Sequence, residues 1–141
     1  MAQTAILLPC AGMAALTAVV WVKLYVDRIG EMRERRIHPQ KLASSEQARD
    51  TLTRTGASDN FRNLCELPVL FYALCLALAV SGLSTPPFTA AAWLYVALRA
   101  VHSFIHVTYN RVWHRFIVYA ASSVWLFGLW AAFAVRVMQI G

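Results

Sequence analysis

The sequence predicts an all-α membrane protein: a bundle of four transmembrane helices in a single domain over residues 1–141. Three observations predict it. The chain is 59% hydrophobic and only 14% charged, where a soluble domain carries roughly 25% charged residues. Its apolar residues fall in four stretches, at about 5–26, 64–83, 87–109 and 116–135, each close to the ~20 residues that cross a bilayer. The stretches are continuously apolar, without the alternation of a barrel strand. A segment in lipid must also satisfy its own backbone, which selects helix.

The first stretch follows residues 1–4, which lack the basic start of a cleavable signal peptide, so it is expected to remain as a helix. Residues 27–36 can carry that helix beyond the bilayer, with Glu31 and Arg35 as an i,i+4 pair. Pro39 should end or kink it. Residues 44–54 are expected to begin the second helix early, from a capping box of Ser44 and Gln47. The second and third stretches are joined by the uncharged, turn-forming residues 81–87.

The other two links are basic. The first contains Arg28, Arg33, Arg35, Arg36, Lys41, Arg49 and Arg54, and the third Arg111 and Arg115. The positive-inside rule places both in the cytoplasm and both termini on the opposite side of the membrane. The net charge of +6 therefore reads as membrane orientation, not as nucleic-acid binding. The three cysteines, Cys10, Cys65 and Cys75, have no metal or disulfide spacing. Cys10 and Cys75 read as buried small hydrophobes, and Cys65 lies at the polar start of a span.

The polar residues of the spans are segregated. Arg62, Asn63 and Glu66 open the second. Arg99, His102, His106 and Tyr109 lie toward the end of the third, and Arg115 and Tyr119 open the fourth. All fall in the cytoplasmic half under this topology. Asn63 and Glu66 are i,i+3. Arg99, His102 and His106 follow i,i+3,i+7 with Tyr95 and Tyr109 near the stripe, and Arg111, Arg115 and Tyr119 follow i,i+4,i+8, so each set is expected on one helix face. Ionisable groups in a membrane helix are expensive and should face protein, water or ligand. The plainer reading is structural: Glu66 paired with Arg99 or Arg115, arginines snorkelling to lipid phosphates, and histidines bonded between helices. His102 and His106 have metal-sharing spacing, but His38 and His114 lie elsewhere and no metal is expected. Nucleotide-loop, serine-hydrolase and zinc-finger motifs are absent from the sequence. Several arginines with one carboxylate, an asparagine and a tyrosine suit a small zwitterion with excess negative charge. Glutathione fits, as do other small anions.

The run Asn60-Phe61-Arg62-Asn63-Leu64-Cys65-Glu66-Leu67-Pro68 resembles the signature of the MAPEG family, membrane-associated proteins in eicosanoid and glutathione metabolism. Arg99-Ala100-Val101-His102 and the pair Arg115 and Tyr119 resemble its third- and fourth-helix pattern, and the variant here looks like the bacterial branch. The resemblance implies a homotrimer in a bacterial inner membrane, with glutathione as bound co-substrate at cytoplasmic-side subunit interfaces. It implies glutathione contacts from Arg62, Asn63, Glu66, Arg99, His102, His106, Arg115 and Tyr119, with Arg115 as thiolate stabiliser and Tyr119 beside it. It adds a basic residue at the end of the first helix, either Arg33 or Arg35. Prostaglandin-synthase members carry a tyrosine where this chain has His106 and a serine where it has Phe116, which counts against prostaglandin synthesis. The function expected is a glutathione transferase or peroxidase acting on a small hydrophobic electrophile or lipid hydroperoxide. The alternative is a non-enzymatic membrane protein whose polar cluster stabilises a trimer or binds another small ligand.

Overall fold

The computed structural model describes residues 4–140. Residues 1–3 and Gly141, on which the signal-peptide reading and the end of the chain partly bear, lie outside the described residues. Long helices form wherever the sequence is continuously apolar. They are α1 (Leu7–Glu34), α5 (Pro86–Val107) and α6 (Val112–Met138), with the second span divided into α3 (Gly56–Cys65) and α4 (Pro68–Val80). A short α2 (Ser45–Thr51) and a single 3-10 turn at Pro39–Leu42 lie in the first link. Among the described residues there is no strand, and four spans are long and apolar enough to cross a membrane. The protein is an integral multi-pass membrane protein in contact with lipid.

The helices close on a core that draws Met13 and Val20 from α1, Phe71 and Leu74 from α4, Tyr95 from α5 and Leu126 from α6. Phe71 and Tyr95 stack at 4.7 Å between ring centroids. α1 and α5 approach closely at Gly12, where an added Cβ would lie 2.9 Å from Trp93 Cζ3. Indole N–H groups tie the bundle further: Trp125 Nε1 donates to the Ala91 carbonyl at 2.9 Å and Trp130 Nε1 to that of Leu70 at 3.2 Å.

The first link is ordered by one carboxylate. α1 continues past the apolar stretch to Glu34, and Glu31, only 1% exposed, turns toward the link. Its oxygens accept from the backbone N–H groups of Thr53 (2.8 Å) and Arg54 (2.9 Å), the Thr53 hydroxyl (2.8 Å) and Arg35 Nη1 (2.5 Å). The capping box of Ser44 and Gln47 is present, but it starts the separate α2 and not the second span. α2 ends at Leu52, which is extended (φ −90°, ψ 142°). The following amide groups bond Glu31 instead of continuing a helix, so the expected early start of the second helix gives way to two helices.

Three other expectations change for local reasons. The second span begins at Gly56, earlier than its apolar run, and breaks at Glu66, whose ψ of −96° ends α3. Pro68 then opens α4, since it needs no N–H partner there. α5 stops at Val107, so Tyr109 leaves the Arg99 stripe and meets His114 at 3.3 Å. Arg111 is extended (φ −69°, ψ 114°) just before α6, so it does not share a helical face with Arg115 and Tyr119.

Candidate functional site

The broken second span brings α3 against the end of α5 and the start of α6. Asn63, His102, Val112, Arg115, Phe116 and Tyr119 line one cavity of about 210 Å³. Four of the residues singled out in the sequence, Asn63, His102, Arg115 and Tyr119, thus meet in a single pocket.

Arg99 lies beneath them with no exposure. Its Nη2 donates to the Asn63 carbonyl at 3.2 Å, and its guanidinium carbon sits 5.5 Å from the centre of the Tyr119 ring. Its Nε and Nη1 have no partner among the described residues. A cation this buried is costly unless compensated. Yet the ion pairs among the described residues are Lys23 with Asp27, Arg35 with Glu31 and Arg54 with Glu34. Neither Arg99 nor Arg115 pairs with Glu66. The site is cationic, and among the described residues no carboxylate forms an ion pair with either arginine.

His102 reads the start of α6. Its Nδ1 lies 3.1 Å from the Arg115 carbonyl. A carbonyl only accepts, so Nδ1 carries the proton, and in the neutral ring Nε2 is left as an acceptor. Nε2 is buried and has no partner among the described residues. Arg115 is aimed from the other side: its Nη1 donates to Asn110 Oδ1 at 2.7 Å. Asn110 itself holds a left-handed conformation, φ 46°, where its N–H bonds the Ile105 carbonyl at 2.9 Å and closes the end of α5. Asn110 was not singled out in the sequence. The available signal was an asparagine in the short link after a helix, where this conformation is commonly needed. The Tyr119 carbonyl accepts from the hydroxyls of Ser122 and Ser123, both at 2.8 Å.

The remaining candidates lie around this pocket. Glu66 is exposed at the helix break. Arg62 is exposed and lines a different cleft, with Arg28 and Arg49. His106, 2% exposed, borders a cavity on the α1 side with Lys23, Asp27 and Gly56. The His102 and His106 rings stand 5.7 Å apart, edge to face. Among the described residues no group of three histidine, cysteine or acidic side chains could hold a metal. Arg35 is held by Glu31 and by the Thr51 carbonyl at 2.8 Å. Arg33 is exposed on the outer face of α1 beside Tyr25, Val26 and Ile29. Cys65 is exposed, Cys10 half-buried and Cys75 buried, all as free thiols.

The MAPEG family model matches residues 6–135, nearly the whole chain. The protein belongs to the MAPEG family. No curated protein and no solved structure matches the chain. MAPEG members include glutathione transferases and peroxidases. In this MAPEG protein the matched region contains both the broken second span and the cationic pocket beside it.

Proposed function

We propose that this MAPEG protein binds glutathione and catalyses its transfer to an apolar electrophile or the reduction of a lipid hydroperoxide, working as a homotrimer. One observation carries the reading: a pocket lined by Arg115, Tyr119, Asn63 and His102 stands over a buried arginine that forms no ion pair among the described residues. Such a site favours a small anion with donors and acceptors of its own. Its polar groups match that chemistry, since His102 Nε2 is a buried acceptor and Arg99 Nε and Nη1 are buried donors, all without partners among the described residues.

Bound there, glutathione would supply a nucleophilic or reducing thiolate. The chain's own residues would position it and hold its charge. Arg115, fixed by Asn110, would donate to the sulfur anion, and Tyr119 would add a second donor from the next turn of α6. Arg99 would offset the overall negative charge from below, and Asn63 and His102 would orient peptide groups. Glu66, exposed at the break, would receive the ammonium group. Val112 and Phe116 give the pocket an apolar edge from which a membrane-dissolved second substrate would enter. In a trimer, Arg33 rather than Arg35 would reach a neighbouring pocket, because Arg35 is already engaged by Glu31 and Thr51.

The test is glutathione titration of the purified, detergent-solubilised protein, followed by the ultraviolet absorbance of the thiolate, with the mass of the protein–detergent complex measured in parallel. The expected result is a saturable thiolate signal at a pH where free glutathione is a thiol, from a particle containing three chains. Saturable binding without thiolate would favour the non-enzymatic alternative, and no binding at millimolar glutathione would remove the proposal.

A further inference from the structure

On the outer side of α3, three arginines converge from three separate elements. Arg28 comes from α1, Arg49 from α2 and Arg62 from α3, and together they line one small cleft of about 60 Å³. Ser45 and Thr55 contribute hydroxyls, and Asp59 is the one carboxylate. None of the three arginines forms an ion pair with it or with any other described carboxylate. Three guanidinium groups against one acid leave the cleft strongly positive, and like charges held together by the fold repel one another. This is not a solvated stripe along a single helix. The link between α1 and α3 folds back to bring Arg49 to the other two, and the Glu31 bonds to Thr53 and Arg54 fix that return.

The size and depth of the cleft narrow the ligand. Its volume of about 60 Å³ is on the scale of a phosphate group. Arg28 lies just past the apolar run of α1, and Arg62 just before the apolar run of the second span. Both therefore stand at the level of the membrane surface, where lipid phosphates lie, and arginine grips phosphate oxygens with a planar fork. The geometry points to a phosphate-binding site in this cleft, distinct from the Arg115 pocket, which takes a terminal phosphate group at the membrane surface and fastens the first link to α1 and α3. The ligand could come from two sources, the headgroup of an anionic lipid such as phosphatidic acid or free inorganic phosphate, and the recognition chemistry is the same for both.

The experiment uses the full chain in phosphatidylcholine nanodiscs. Phosphatidic acid is titrated in one arm and inorganic phosphate in the other, with melting temperature and tryptophan fluorescence as readouts. The wild-type protein should show saturable stabilisation by phosphatidic acid that weakens as salt rises. The double variant Arg28→Gln, Arg49→Gln should lose at least tenfold in affinity while its glutathione titration stays unchanged. Stabilisation by inorganic phosphate at comparable concentration would identify the free ion as the source, and dependence on phosphatidic acid alone would identify the lipid. Equal affinity in wild type and variant would overturn the proposal. So would displacement of the phosphate ligand by glutathione, which would make the cleft an extension of the glutathione site. Should the double variant not fold, Arg49→Gln alone, on the exposed face of α2, gives the same comparison. Failure of the glutathione reading leaves this test intact, because binding here is read without glutathione.

Discussion

At the scale of single residues, Arg115 is tested through chemistry and Glu66 through binding. Arg115 is aimed by Asn110 and stands four residues before Tyr119 on α6. If it holds a thiolate, Arg115→Leu raises the pKa of the bound thiol. Each pKa unit corresponds to about 1.4 kcal/mol, or about tenfold in thiolate population well below the pKa. Turnover should therefore fall about tenfold or more near neutral pH and recover as pH rises, because solvent then removes the proton unaided. A pH–rate profile that does not move would show that Arg115 serves lipid or packing. Glu66→Gln keeps shape and loses charge. Glutathione affinity should fall about tenfold, the loss of a charge-assisted hydrogen bond of ~1.5–3 kcal/mol, with the oligomer intact; unchanged affinity by titration would take Glu66 out of the site. The residue types of this pocket were legible because charged and polar side chains are rare in apolar spans. Asn110 was not, since its contribution is a backbone conformation; within one chain Arg62 and His106 line other cavities.

Individual elements depend on a few buried polar contacts. Glu31 holds Thr53 and Arg54 against the end of α1 and so sets where α3 begins. Glu31→Gln should cost about 2–3 kcal/mol, since a charged acceptor of several bonds is lost. The readout is limited proteolysis, with cleavage at residues 52–55 in the variant and protection in the wild type. At the same junction, a Cβ on Gly56 would lie 3.0 Å from the His106 carbonyl oxygen. Gly56→Val should force α3 away from α5 and cost ~1–3 kcal/mol by overpacking, read as a lower melting temperature in detergent; an unchanged melting point would mean that the junction yields freely. The capping box of Ser44 and Gln47 was legible because its chemistry is local. The interruption after α2 was not, because Glu31 lies 22 residues from Thr53 in the chain, and only the folded link brings them together. Pro68 offered a signal for the division of the second span, which the unbroken apolar run around it masked.

For the whole molecule, the four spans and their helical state were legible in composition and run length, and the structure has them. Burial is uneven: in the most apolar window of each span, 44% of α5 is buried within one chain but only 17% of α6 and 22% of α1. The outer faces of α1 and α6 are therefore the surfaces left for lipid or for other copies of the chain. Such a division is invisible in the sequence, since lipid and a neighbouring subunit both select apolar side chains. Orientation rests on charge: with the first and third links basic, both termini should lie outside the cytoplasm. Reporter fusions at the C-terminus and within residues 41–54 should give opposite signals. A cytoplasmic signal at the C-terminus would invert the topology and move the Arg115 pocket to the other face of the membrane.

The bond between Arg99 and the Asn63 carbonyl joins groups 36 residues apart, and it has a consequence in time as well as in space. The second span leaves the ribosome before α5 exists. Asn63 sits next to Arg62 near the membrane surface, where water can satisfy its carbonyl until α5 arrives. Arg99 alone is unwelcome in lipid, by about 2.5–3.5 kcal/mol at a helix centre. The third span thus carries a defect that the second repairs, and the two should enter the bilayer as a pair. With the second span deleted, α5 should insert incompletely, and with it restored α5 should insert fully, which would make this one hydrogen bond a checkpoint of biogenesis.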